Sequence, residues 1–216
     1  MAESSEYNPP QDPLEVLHHD ADIVAVMKPD GLLSVPGKGA HLADCMMARV
    51  QAAFPTALTV HRLDRDTSGV MIFAMTPHAQ RFLSMEFETR RTRKTYVARV
   101  AGRLEPRTGT VDLPLTVDWP NRPRQMVCQE TGREALTDWR VQRWEDGATR
   151  VKLSPKTGRT HQLRVHMLAL GHPILGDPLY SGGLDEAPRM MLHAEELRIA
   201  SPDGGPSLRF RAAPNF

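Results

Sequence analysis

His61-Arg62-Leu63-Asp64-Arg65-Asp66-Thr67-Ser68-Gly69 is dense in charged and polar residues, and Val70-Met71-Ile72-Phe73-Ala74-Met75 follows it directly. The apolar half reads as a strand buried inside a sheet. Val60 leads in from the other side, so the polar run becomes a short loop pinned beside the core. Loops fixed on rigid elements are where reactive groups concentrate. Even so, an aspartate in a loop is more often a turn or capping residue than a reactive one. A kinase catalytic loop is excluded by spacing, since Leu63 intervenes, and by the lack of a Gly-rich loop and of Asp-Phe-Gly. Asp64 and Asp66 as the acid and base of a glycoside hydrolase also fit poorly. Residues two apart on a loop rarely face each other across a sugar.

Working outward, Asp22-Ile23-Val24-Ala25-Val26-Met27-Lys28 reads as a second buried strand, stopped by Pro29-Asp30-Gly31. Residues 42–54 carry a helical apolar stripe that ends at Pro55. After the central strand, Thr76-Pro77 predicts an N-cap with proline at the first helical position, and Ala79, Phe82, Leu83 and Phe87 supply that helix's core face. Residues 95–101 alternate as a strand, with Tyr96, Ala98 and Val100 on one face. Residues 111–127, with Pro114, Pro120 and Pro123, are expected to contain an extended loop. Residues 133–141, 149–153, 190–199 and 207–211 read as further strands. Strands outnumber helices without a regular βαβ alternation, so the fold class is α+β with a mixed sheet. The absence of a Gly-rich phosphate loop after a strand argues against a nucleotide-cofactor domain.

A second motif lies in Lys156-Thr157-Gly158-Arg159-Thr160-His161-Gln162-Leu163-Arg164-Val165-His166. With Thr160 as the cap, a helix over 160–170 places Leu163, Met167 and Leu170 on its core stripe and Arg164 beside it. A buried, unpaired guanidinium costs several kcal/mol, roughly, so Arg164 wants a carboxylate, and Asp64 is the natural candidate. Periodicity equally allows Arg164 to snorkel to solvent. His161 and His166, five apart with no acidic partner nearby, read as capping or packing groups rather than metal ligands.

Composition narrows the class. The chain has 216 residues, 40% hydrophobic and 25% charged, as a soluble globular protein does. No apolar run is long enough to span a bilayer, and residues 1–13 lack the character of a signal peptide. Cys45 and Cys128 lie far apart without metal-ligand spacing and are read as free thiols of a reducing cytoplasm. A net charge of +1 means that any grip on nucleic acid comes from local patches. Arg90-Arg91-Thr92-Arg93-Lys94 and the pair Arg122 and Arg124 are the two candidates, although a charge run is usually a solvated face.

Taken together, these motifs resemble the RluA family of RNA pseudouridine synthases from about residue 14 to the C-terminus. Lys28-Pro29-Asp30-Gly31-Leu32-Leu33-Ser34-Val35-Pro36-Gly37, the His61–Gly69 run, Lys94-Thr95-Tyr96-Val97-Ala98 and Gly158–His166 carry the likeness. So do Gly171-His172-Pro173-Ile174-Leu175-Gly176-Asp177 and Leu192-His193-Ala194. The resemblance implies a pseudouridine synthase fold, a largely antiparallel central sheet flanked by helices and loops, with the catalytic cleft across it. It implies Asp64 as the catalytic aspartate, Tyr96 as the active-site tyrosine and Arg164 as the basic partner of the aspartate. Arg62 matches the arginine that enters the RNA stack when the target base leaves. Arg90, Arg91, Arg93 and Lys94, with Arg122 and Arg124, match two RNA-gripping loops. Asn8-Pro9-Pro10-Gln11 and Asp118-Trp119-Pro120-Asn121-Arg122-Pro123 resemble the dual-specificity branch, which implies a tRNA anticodon stem-loop and a 23S rRNA stem-loop as substrates. A single catalytic domain over 14–216, a flexible tail over 1–13, no S4 RNA-binding domain, no membrane partner and a monomeric state are expected.

The implied reaction breaks a uridine N1–C1′ bond, turns the uracil and rejoins it through C5. It is an isomerisation, so no cofactor and no metal are expected. A carboxylate can attack the sugar, add to the base or remove a sugar proton, and each route starts from the ionised form. A non-catalytic RNA-binding or ribosome-assembly protein of the same fold is the alternative.

Overall fold

The computed structural model describes residues 7–183 and 187–216. Its elements run β1 (Glu15–His19), β2 (Ile23–Lys28), α1 (Met46–Ala53), β3 (Leu58–Thr59), β4 (Ser68–Ala74), α2 (Pro77–Glu88), β5 (Arg93–Ala101) and β6 (Thr108–Asp112). There follow β7 (Leu115–Val117), β8 (Gln125–Val127), β9 (Leu136–Glu145), β10 (Ala148–Pro155), α3 (Gln162–Ala169), β11 (Leu192–Ile199) and β12 (Leu208–Arg211). One sheet has the order β1-β2-β4-β11-β5-β10-β9-β6, with β3 added to β4 and β12 to β11. Its one parallel pairing among the described residues joins β4 to β11; the others are antiparallel. This is the expected α+β architecture with a mixed, largely antiparallel sheet.

The central position of β4 follows from its composition. All seven of its residues are buried. Val70, Ile72 and Ala74 point to one face, where Ala79 and Leu83 of α2 meet them. Met71 and Phe73 point to the other, against Met46 and Val50 of α1. The strand's period of two therefore feeds two cores, and full burial of a side chain such as Ile72 or Phe73 contributes about 1.5–3 kcal/mol. Gly69 allows β4 to approach β11 closely, since a Cβ there would lie 2.3 Å from the Ala194 carbonyl oxygen. A third core joins Ala98 and Val100 of β5, Val151 and Leu153 of β10, and Leu163 and Met167 of α3.

Thr76 caps α2 as the sequence predicts, its Oγ1 accepting from the Ala79 amide at 3.1 Å with Pro77 at the first turn. Three expectations shift. The helix read over 42–54 starts at Met46, because Cys45 is the cap and its Sγ accepts from the Ala48 amide; Leu42 belongs to a short 3-10 turn. The loop expected over 111–127 is largely a hairpin of β7 and β8. Pro120 and Pro123 fall between its strands and Pro114 precedes it, so no proline removes a ladder donor. At α3 the cap position is His161, in the left-handed conformation at φ 53°, rather than Thr160. Gln162 fixes that helix start: its Oε1 accepts from Thr157 Oγ1 and the Arg159 amide, while its Nε2 donates to the Leu136 carbonyl.

Of the segment expected as a flexible tail, residues 1–6 lie outside the described residues. Residues 7–13 are tied to the body. The Tyr7 hydroxyl donates to the Asp44 carbonyl and accepts from the Leu33 amide, and Arg49 donates to the Pro10 carbonyl. No helix among the described residues is long and apolar enough to cross a membrane.

Candidate active site

The Asp64 loop is clamped by two side chains of the preceding motif. Ser34 Oγ donates to the Leu63 carbonyl at 2.6 Å and accepts from the Leu63 amide at 3.0 Å. Lys28, fully buried at the end of β2, donates from Nζ to the Arg65 carbonyl at 2.8 Å and to the Pro29 carbonyl at 2.7 Å. The backbone on both sides of Asp64 is thus fixed from below. Burial lowers the Lys28 ammonium to about pKa 7, with Asp66, Asp30 and Asp64 opposing that fall. Asp66 is engaged by its neighbour, Arg65 donating at 2.8 and 3.2 Å. Asp64 keeps a side-chain exposure of 26%.

Arg164 answers the question that periodicity left open. It is 3% exposed, because α3 is covered on opposite sides, by Leu163 and Met167 in one core and by Val165 in another with Leu115, Ala135 and Tyr180. A side chain enclosed in that way has no route to solvent. Its main partner is a residue the sequence reading had not assigned. Nε and Nη2 each donate to Asp177 at 2.7 Å, and Nη1 donates to Asp64 Oδ2 at 3.2 Å. Asp177 is itself held in its turn by the Leu179 and Tyr180 amides. Asp177 lies in a Gly-Asp-Pro turn with no periodicity to mark it, and only its place within a quoted motif signalled it.

Tyr96 stands on β5, two strands from β4, and packs against the cores on both sides of it. Burial raises its phenol pKa, and the nearby negative charge of Asp64 adds to the rise. A small cavity opens beside it, lined also by His61, Lys94 and Glu196. His61 serves the fold: its Nε2 accepts from the Ile72 amide at 3.0 Å and its ring stacks on Phe87. Burial and the charge of Lys94 lower its pKa to about 3.

The basic residues divide. Arg62 is exposed beside Asp64, with no hydrogen bond or ion pair to another described residue. Arg90 is paired with Glu134 and Arg91 with the buried Glu86, so Arg93 and Lys94 are the cations of that run left without a carboxylate among the described residues. Arg122 lies over the Trp119 ring at 3.8 Å at the tip of the β7–β8 hairpin, and Trp119 is 64% exposed. Arg124 turns inward over Tyr180 at 5.2 Å. His166 is a packing group, bonded to Thr137 and the Leu113 carbonyl. His161 Nε2, by contrast, stands 3.9 Å from Asp64 Oδ2.

Asp64 thus meets Arg164 directly and lies near enough to Tyr96 for its charge to act on the phenol. The family described as RNA pseudouridylate synthase matches residues 22–169. The chain belongs to that family, within its RluA branch. It is 53% identical to the dual-specificity RNA pseudouridine synthase RluA of Escherichia coli O6:H1, over 97% of this chain and 98% of that protein. The protein of the same name in Vibrio cholerae is 49% identical, over 92% of this chain and 82% of its own. Among solved structures, human RNA Pseudouridylate Synthase Domain Containing 1 is similar over all of this chain and 87% of its own, at a TM-score of 0.79 and 29% identity. The chain is therefore an RNA pseudouridine synthase, an isomerase of uridine in RNA.

Proposed function

We propose that Asp64 is the carboxylate that opens the glycosidic bond of a uridine turned out of a stem-loop. The observation that carries this reading is the fork of Arg164, which spends two nitrogens on Asp177 and holds Asp64 with the third. A charge-assisted bond from a guanidinium that is already fixed holds the carboxylate in one orientation. Tyr96 supports the detached uracil, and its hydroxyl assists loss of the C5 proton. Extruding a uridine costs a few kcal/mol, roughly, and the exposed, unpaired Arg62 fills the space it leaves.

RNA is held by Arg93, Lys94 and Arg122, with Arg90 and Arg91 free to exchange their carboxylates for phosphates and Arg124 reaching RNA only by leaving its place over Tyr180. Trp119, exposed on one face and covered by Arg122 on the other, adds a platform for an unstacked base. Substrates are the tRNA anticodon stem-loop and a stem-loop of 23S rRNA, as the dual specificity named for the relatives suggests. The enzyme works in the cytoplasm as a monomer, and the ten-stranded sheet that joins β1 to β6 supports a single domain.

Tritium release from the two RNAs carrying C5-tritiated uridine tests the substrate assignment. Release from both stem-loops, at one position in each, is expected. Release from neither would reject it.

A further inference from the structure

The hairpin that carries Arg122 and Arg124 is joined to the catalytic aspartate by a chain of three groups. The Gln125 amide at the start of β8 donates to the Tyr180 hydroxyl at 2.7 Å. That hydroxyl lies 2.8 Å from Nδ1 of His161, whose other ring nitrogen is the one 3.9 Å from Asp64 Oδ2. His161 is held in this place at a price in backbone strain, being one of two non-glycine residues at positive φ among the described residues. A histidine that merely capped α3 would bond its amides, and this one makes no such bond.

The proton positions follow from counting donors. A backbone amide only donates, so the Tyr180 oxygen accepts from Gln125. The phenol proton is then free for His161 Nδ1. Were Nδ1 protonated instead, the phenol proton would be left without an acceptor in a largely buried site, at a loss of about 1–3 kcal/mol. The satisfied arrangement leaves Nδ1 bare and puts the imidazole proton on Nε2, toward Asp64. Burial lowers the His161 pKa, Arg164 and Arg62 acting in the same sense and Asp64 and Asp177 against it, which suits a neutral ring.

We propose that His161 is a positioning residue for Asp64, held in its Nε2–H tautomer by Tyr180, and that it conveys the seating of the β7–β8 hairpin on RNA to the aspartate. This rests on Asp64 being the reacting carboxylate. The arrangement complements Arg164: the guanidinium fixes Asp64 from the α3 interior, and the imidazole directs a donor at the same oxygen from the helix start.

Four variants of the full chain, His161→Leu, His161→Gln, Tyr180→Phe and the Leu/Phe double variant, are assayed on a stem-loop RNA beside Asp64→Asn. His161→Leu is expected to lower kcat about tenfold or more with KM within about threefold, the size of losing a preorganised donor. His161→Gln, which keeps an N–H near the Nε2 position, recovers most of that loss. Tyr180→Phe keeps the ring beneath Arg124 and Arg164 but frees the tautomer, so kcat falls by a smaller factor. The double variant is no slower than His161→Leu, because Tyr180 acts through His161. Unaltered kcat in His161→Leu, no recovery with Gln, or additive losses in the double variant would overturn the proposal. Should His161→Leu fail to fold, the Gln and Phe variants decide: kcat unchanged in Tyr180→Phe rejects it. An active Asp64→Asn instead removes the reading on which it rests, a distinguishable result.

Discussion

Arg164 and Asp177 form a buried bidentate pair, both nitrogen–oxygen distances 2.7 Å, and the guanidinium nitrogen left over is the one that reaches Asp64. The pair orients the carboxylate proposed to react from a residue that is itself fully buried. Removing one partner of such a pair leaves an uncompensated buried charge. Asp177→Asn is therefore expected to lower the unfolding free energy by about 3 kcal/mol or more, read from urea denaturation. Turnover should fall with it at temperatures where the variant is still folded. A variant as stable as the parent would show that Asp64 alone suffices as the counter-charge.

Ser34 grips Leu63 through both backbone groups, one residue before Asp64. Ser34→Ala leaves a buried carbonyl and a buried amide without partners, about 2 kcal/mol in stability. The carboxylate also loses its anchor, so kcat should drop by more than the RNA dissociation constant rises. Equal changes in the two would place the effect on RNA binding instead.

Much of this frame was legible in the sequence. Val70–Met75 announces a buried strand by its unbroken apolar run, and Thr76-Pro77 announces a helix start by cap chemistry; both form as read. What stayed hidden depends on tertiary neighbours. Periodicity placed Arg164 beside the core stripe but could not say that Val165 would be buried too, closing the way to solvent. Asp177 and the left-handed His161 sit in turns, where no period exists to reveal a partner. The β7–β8 hairpin was obscured because its strands are three residues each and prolines crowd around them.

His61 gives the protein a definite acid sensitivity. Its pKa is about 3 in the folded chain against 6.5 when free, so the unfolded state binds an extra proton between those values. Stability then rises with pH across that window and is lost as pH falls from 6.5 toward 3, by up to about 1.4 kcal/mol per pH unit for one proton. His61→Gln keeps an acceptor for the Ile72 amide without the titration. Relative to that variant, the parent should lose stability between pH 6.5 and 4.5 in urea titrations. Parallel pH profiles would refute the assignment.

Arg62 is exposed and unpaired among the described residues, which suits a side chain that moves into RNA. Arg62→Ala should slow turnover of a folded stem-loop about tenfold or more, since part of the offset to an extrusion cost of a few kcal/mol, roughly, is lost. A stem-loop whose target uridine is already unstacked by a neighbouring abasic site should lose much less. The same penalty on both RNAs would mean that Arg62 acts elsewhere.

The role of Asp64 is tested most directly by Asp64→Asn, nearly isosteric and uncharged. Tritium release from C5-labelled stem-loop RNA and the dissociation constant for the same RNA are measured on one preparation. The expected result is release lowered by about three orders of magnitude or more, with the dissociation constant within about threefold of the parent. Release within tenfold of the parent, with binding intact, would contradict the account and move the reacting carboxylate away from Asp64.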